Sequence, residues 1–259
     1  MTDVLSTLTR DVLFAPLDAE GRTETVVNRL RTAVTLGVLA DGNQLPNEVE
    51  LAAQFNVAPG TLREALAILR DEGIVETRRG RAGGSFIRVP DSLHVSHGLA
   101  ILRSMSPGDL RDSSDWRATI AGSSAYFAAE RASDENVQTL AALADDLGTA
   151  PDEATARRHD TRFHIELAAA AQSRRLSTAA INLQVAYAPV LPLVYEAPQV
   201  RKDVGAGLRE VAELVRSGAA DQARRLAWEI ADETGRRLLQ LRAGPRRPGT
   251  RGRTGKVAK

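Results

Sequence analysis

The sequence predicts a mainly α protein in two parts: an N-terminal winged helix-turn-helix domain and a C-terminal all-α antiparallel helical bundle. Three observations lead there. Two short apolar stripes at helical spacing flank Asn56-Val57. Two strand-like runs follow, over residues 73–78 and 84–89, joined by a glycine–arginine link. Beyond Asp109 the chain turns alanine-rich, with helical periodicity and no strand-like alternation of any length.

Residues 1–20 carry little pattern and read as a flexible arm. From Arg22, the residues Val26, Val27, Leu30, Ala33 and Val34 form a helical stripe that ends near Gly37. A turn over residues 41–46 leads to Asn47, which can cap the next helix with Glu50 as its capping-box partner. Leu51, Ala52 and Phe55 are that helix's apolar stripe. Asn56 then tolerates the left-handed conformation of a tight turn. Pro59 suits the first turn of a second helix, where amides lack intrahelical acceptors anyway.

In the second helix Leu62, Ala65, Leu66 and Leu69 turn inward, leaving Thr61, Arg63, Glu64, Ala67 and Arg70 outward. An outward face that opens at a helix N-terminus fits a DNA major groove. The two strands are joined by Arg79-Gly80-Arg81-Ala82-Gly83, where glycine permits positive φ. With Arg78 and Arg88 this wing is basic, as phosphate and minor-groove contact requires. The expected DNA contacts are Thr61, Arg63, Arg78, Arg79, Arg81 and Gly83.

The winged domain is expected over residues 21–90, with a linker at 91–112 containing a helix over 93–102. His94 and His97 in that helix lack a third ligand nearby and read as solvated or interface residues. Helices are expected at about 113–131, 134–147, 152–171, 174–195, 199–216 and 220–241. Short connections between them imply a compact antiparallel bundle. Pro189 and Pro192 either kink the fourth of these or end it near Ala188. Residues 243–259 are basic and rich in Gly and Pro, a composition that stays disordered alone.

The segments Leu45-Pro46-Asn47-Glu48, Glu50-Leu51-Ala52, Thr61-Leu62-Arg63-Glu64-Ala65-Leu66 and Glu72-Gly73-Ile74-Val75-Glu76 resemble the winged helix of GntR-type bacterial transcription regulators. Of three arginine positions that contact DNA in that family, Val49 and Pro59 occupy two here and only Arg63 is kept; the usual serine cap is Ala58. The spacings Arg117-(x3)-Ala121, Asp160-(x2)-Phe163-His164 and Gly218-(x4)-Ala223 resemble the FCD-type sensor domain of the FadR branch. The resemblance implies an effector site that includes Arg117, Asp160 and His164. Many such domains hold a divalent metal through an Asp, a His and two further histidines; those two positions fall at Leu208 and Ile230 here, and an acid position at Ala121. The remaining metal candidates are therefore Asp160 and His164, no cofactor is expected, and the expected pocket is dry and suited to an acyl-type molecule.

Composition bounds the rest. At 259 residues and 43% hydrophobic content the chain suits two ordinary domains. A net charge of +1 argues against coating nucleic acid non-specifically, so the basic charge is local. No cysteine is present, which removes disulfides, thiolate nucleophiles and zinc fingers. No apolar run approaches the roughly 18 residues of a membrane span, and no signal pattern opens the chain. The expectation is a cytoplasmic, ligand-responsive regulator, a homodimer on double-stranded operator DNA with a small-molecule effector and no membrane. Its alternatives are a metal-dependent carboxylate sensor and an effector-free architectural DNA binder. An enzyme is disfavoured, because no nucleophile elbow, phosphate loop or HExxH accompanies Asp160 and His164.

Overall fold

The computed structural model describes residues 22–78, 83–89 and 95–244. The expectations for the N-terminal arm, wing residues Arg79 and Arg81, His94, the side chain of His97 and the basic tail from residue 245 on lie outside the described residues.

The winged domain begins with α1 (Arg22–Thr35), which buries Val26, Val27, Leu30, Ala33 and Val34. Helix α2 (Glu48–Phe55) starts where the Asn47 side chain accepts the Glu50 amide at 2.9 Å. It stops at Asn56, whose φ of 52° and ψ of 47° are the left-handed turn expected of it. Helix α3 (Pro59–Asp71) opens on Pro59, with no side-chain cap from Ala58. Strands β1 (Val75–Arg78) and β2 (Gly84–Ile87) pair antiparallel, with Val75 opposite Ile87 and Arg78 opposite Gly84. Phe55, Leu62, Leu66, Leu69 and Ile87 close this domain's core.

Helix α4 (Val95–Ser104) leads to Ser106, whose hydroxyl accepts the Asp109 amide at 3.0 Å and caps α5 (Pro107–Arg131). The helix expected from about 113 therefore starts at Pro107: a serine cap with proline behind it outranks the shift in composition as a start signal. Then come α6 (Asp134–Gly148), α7 (Glu153–Ala170) and α8 (Arg174–Tyr187). The single helix expected over 174–195 is two elements, α8 and a 3-10 helix (Leu191–Tyr195). Pro189 and Pro192 carry no amide to continue an α-helical ladder, so the helix ends and does not kink. Helices α9 (Pro198–Arg216) and α10 (Ala220–Ala243) complete the bundle.

Helix α7 is the bundle's axis. It packs against α5, α6, α8 and the 3-10 helix, and every residue from Asp160 to Ala170 is buried. Around it, α10 lies along α5, with Gly235 against Ser114 and Gly122 against Arg224 and Trp228, an antiparallel pairing. Helix α9 crosses α6 closely enough that a Cβ on Gly205 would stand 2.6 Å from the Gly148 Cα and 2.9 Å from the Ala144 carbonyl oxygen. Backbone cannot yield as a flexible side chain would. Gly205→Val is expected to destabilise the bundle by about 1–3 kcal/mol, and an unchanged Tm in thermal unfolding would show that this crossing is looser than drawn.

Candidate functional site

The surface expected from the sequence to face DNA is built from α3 and the wing. Leu62, Ala65, Leu66 and Leu69 bind α3 to the core, so Arg63, Glu64, Ala67 and Arg70 stand exposed and Thr61 half-buried. The Arg63 side chain is 66% exposed; its Nε donates to the Pro59 carbonyl at 3.3 Å, and the Glu48 carboxylate is 4.0 Å away. That leaves most of the guanidinium free to form a fork with a base or phosphate. Glu64 accepts from the Thr23 hydroxyl at 3.0 Å, and Arg70 donates to Thr77 at 3.1 Å, tying α3 to α1 and to the wing. Gly83 accepts from the Gln44 side chain at 3.1 Å and fixes the base of the wing.

The wing arginines are less free than their spacing suggests. Glu76 pairs with Arg78 at 2.5 Å and with Arg88 at 3.0 Å, and Arg78 also lies over the Phe86 ring at 4.3 Å. A search for acids between the arginines misses Glu76, which stands just before them on β1. Glu76→Gln is expected to tighten non-specific duplex binding about two- to fivefold, the scale of one exposed ion pair. The check is a salt titration of duplex binding; unchanged affinity would mean that neither arginine reaches a phosphate.

The second site lies inside the bundle, where α5, α7 and α8 meet. Arg117, Ile120, Ala121 and Ser124 fall at i, i+3, i+4 and i+7 on α5, and Ala180, Leu183 and Gln184 form the facing wall on α8. His164 on α7 closes the third side, with Asp160 four residues before it on the same helix. Arg117 Nη2 donates to Asp160 Oδ2 at 2.8 Å, and the Tyr195 hydroxyl donates to Asp160 Oδ1 at 2.6 Å. His164 Nε2 is 3.5 Å from Asp160 Oδ1, a contact that is ionic only when the imidazole is protonated. Tyr187 places its ring 5.4 Å from the Arg117 guanidinium and its hydroxyl 3.0 Å from Ser114.

The three residues expected from the sequence thus come together, and Ser124, Gln184, Tyr187 and Tyr195 join them unforeseen. The site differs in character from the dry pocket expected. Among the described residues, Nε and Nη1 of Arg117, Oγ of Ser124, Nε2 of His164 and Oε1 of Gln184 are buried without hydrogen-bond partners. All four side chains line one cavity of only ≈ 10 Å³, room for roughly one water. A larger cleft of ≈ 820 Å³ opens between α4, the 3-10 helix and α10, lined by Leu99, Arg103, Leu193 and Arg237. None of its lining groups is an orphaned buried polar atom, so chemistry favours the smaller cavity over the roomier one.

Electrostatics sorts the charges. Burial alone would raise the Asp160 carboxyl, but Arg117, then His164, then the Tyr195 hydroxyl outweigh it and hold the group well below the usual carboxylate range. Burial, followed by the Arg117 charge, pushes His164 down against the pull of Asp160, so its imidazole is neutral at pH 7. Burial and then the Asp160 charge raise Tyr195 well above 10, keeping it a donor.

A histidine with a depressed folded pKa stabilises fully above the unfolded value of about 6.5 and loses that contribution as pH falls below it. The structure therefore predicts declining stability from pH 7 to 5, by at most about 1.4 kcal/mol per pH unit for His164. His159, also lowered chiefly by burial, acts in the same direction. In denaturant titrations His164→Gln should flatten this decline in part, and an unaltered pH slope would count against a buried neutral His164.

Residues 22–84 match the bacterial regulatory proteins of the gntR family, and residues 112–233 match the FCD domain. The chain is 38% identical over 220 residues to RmpR of Mycobacterium gastri, described as an HTH-type transcriptional regulator, covering 85% of this chain and 80% of that protein. It is 32% identical over 168 residues to the HTH-type transcriptional repressor NanR of Klebsiella aerogenes, covering 64% of this chain and 65% of NanR, just under two thirds. A crystal structure of a GntR regulator from Rhodococcus sp. RHA1 aligns at 21% identity and a TM-score of 0.49, over 84% of this chain and 97% of that one, a likeness in outline. Both family matches and these relatives describe regulation of transcription and not catalysis. The chain belongs to the GntR family, as a transcriptional regulator that joins a GntR DNA-binding domain to an FCD effector-binding domain.

Proposed function

We propose that the chain is a cytoplasmic repressor that binds a two-fold operator as a homodimer and is released by a small polar effector at the Arg117–Asp160–His164 site. The observation that carries the effector class is the set of five unpartnered polar atoms around one cavity. Arg117 offers two donors and needs an acceptor such as a carboxylate or carbonyl, whereas Gln184 Oε1 needs a donor such as a hydroxyl or amide N–H. Ser124 and His164 can serve either way. A small acid bearing a hydroxyl or amide satisfies all four, since orphaned buried groups are costly until paired. Any molecule larger than a water must part α5, α7 and α8; an acyl chain would part them further and would still leave these atoms unpaired.

The donors present do not fit a first-row divalent ion. Both Asp160 oxygens are engaged by Arg117 and Tyr195, Leu208 is fully buried among apolar residues, and Ile230 packs over Gly207. Among the described residues no three His, Cys, Asp or Glu come together. A site without metal is accordingly part of the proposal. A two-fold assembly is supported by the small reach of one winged helix, which needs a second for tight specific binding. Trp116 and Trp228, 51% and 44% exposed, are the kind of aromatic surface a dimer covers. Repression is the role of the relative NanR, a transcriptional repressor, and is carried over from it. No described helix is long and apolar enough to cross a membrane.

The test is native mass spectrometry of the purified protein, then denaturing extraction and metal analysis. A small polar acid without metal is the expected result. A stoichiometric metal or a long acyl species would overturn the effector class, and a variant with Arg117→Met should lose the captured molecule.

A further inference from the structure

The effector reading leaves open how the winged domain learns the state of a cavity buried in the bundle. One contact between the two domains bears on this. Arg157 Nη1 on α7 donates to the Thr35 carbonyl at 2.8 Å, a residue pair 122 positions apart. Thr35 ends α1, where the last carbonyls lack intrahelical donors and carry the negative end of the helix dipole. A half-buried guanidinium there is both a cap and a charge-assisted bond.

Beside it, Leu36, fully buried just past α1, packs with Ile165 of α7 and Ile181 of α8, with Val38 and Val185 on the margin. Gly37 turns there at a φ of 73°, so close that a Cβ would stand 2.8 Å from the Arg158 Cγ. The contact is thus tight as well as charged.

The same two helices carry the cavity. On α7, Arg157 and Ile165 lie at i and i+8 and meet Thr35 and Leu36 at the end of α1, while Asp160 and His164 lie on the adjoining stripe and His164 lines the cavity. On α8, Ile181 and Val185 face α1, and Ala180, Leu183 and Gln184 face the cavity. A rotation or shift of α7 that accommodates a molecule on one stripe must move the other, because packed helices shift as rigid elements.

Resting on the effector reading above, we propose that Arg157 is the latch that docks the winged domain on α7 and couples its freedom to occupancy of the Arg117–Asp160–His164 cavity. Arg157 is a positioning residue: it touches neither DNA nor effector. Its removal should spare the fold and the cavity while the winged domain ceases to report on them.

The test needs neither operator nor effector. Hydrogen–deuterium exchange of the full chain reads the amides of residues 36–39, which bond to the carbonyls of Thr32, Ala33 and Val34 and so report on the docked end of α1. Arg157→Gln is expected to speed their exchange about tenfold, and Arg157→Lys to restore most of the protection. Ser124→Leu fills the cavity from its far wall without touching α1 and stands in for occupancy; Ser124→Val serves if the larger side chain prevents folding, as judged by circular dichroism. Either filling variant should change exchange at residues 36–39 several-fold in the parent chain and not at all in the Arg157→Gln background, the signature of coupling in a double-mutant cycle. Unchanged exchange in Arg157→Gln would remove the latch. A filling effect that is absent, or equal in both backgrounds, would remove the coupling. A captured effector alongside either negative result would sink the latch alone, and failure to capture any molecule would sink the effector reading alone.

Discussion

Asp160→Ala is expected to destabilise the helical domain by about 3–5 kcal/mol, the largest effect of any single substitution in the bundle. Asp160 is 1% exposed and holds Arg117 at 2.8 Å and Tyr195 at 2.6 Å. Removing it strands the Arg117 guanidinium, itself 2% exposed, with only the Tyr187 ring at 5.4 Å for compensation. Against a domain stability of about 5–15 kcal/mol, that loss brings the bundle near unfolding at room temperature. Asp160→Asn should cost less, because an amide oxygen still accepts from Tyr195. The double variant Asp160→Ala/Arg117→Met should recover much of the loss, since the cost lies in the unpaired charge and not in the missing contact. Chemical denaturation decides: a loss below about 0.5 kcal/mol for Asp160→Ala would mean that water already reaches Arg117.

The second large effect is on DNA. Arg63→Ala should weaken specific binding by about 1–3 kcal/mol at each half-site, roughly 10- to 100-fold, and more when both sites of a dimer are lost together. Stability should change by no more than about 0.5 kcal/mol, because the side chain is 66% exposed and, among the described residues, bonds to the Pro59 carbonyl and weakly to Glu48. Arg70→Ala is the companion: Arg70 bonds Thr77 on β1, so its loss should loosen the wing and weaken all duplexes alike without altering preference. Equal losses on specific and random duplex for Arg63→Ala would place it among phosphate contacts and remove it from base reading.

How far these sites could be read in the chain follows from the range of each signal. The helix-turn-helix was legible because its determinants are local: Asn47 caps, Asn56 turns left-handed, Pro59 restarts, and the apolar stripes face one core. The start of α5 at Pro107 was local too, written in Ser106-Pro107, but a change to alanine-rich composition drew the boundary later. The two prolines after Tyr187 allowed either a kink or an end, and only packing of the 3-10 helix against α7 chose the end.

The site was legible on one helix at a time. Asp160 and His164 share a face by spacing, and Arg117 was found by resemblance. Ser124 had a signal of its own, seven residues after Arg117 on the same stripe, but a serine beside Ser123 in a run of small residues is ordinary on any helix surface. Gln184, Tyr187 and Tyr195 come from elements whose approach to α5 and α7 no periodicity encodes. The polar character of the cavity was lost for that reason: replacement of the usual acid by Ala121, and Leu208 and Ile230 at the usual histidine positions, suggested dryness, while the groups that make it polar sat elsewhere. Arg157 was invisible among neighbouring Arg158 and His159, since only the three-dimensional fold brings Thr35 to it.

The central claim is a two-fold, sequence-specific DNA binder, and selection from a random-sequence duplex pool, with sequencing of the bound fraction, tests it most directly. The wild-type chain should enrich an inverted repeat whose half-site centres lie about one helical turn, or a multiple of it, apart, and Arg63→Ala should lose that enrichment while retaining salt-sensitive binding to any duplex. A pool that emerges unenriched, or a single unrepeated site, would contradict the account.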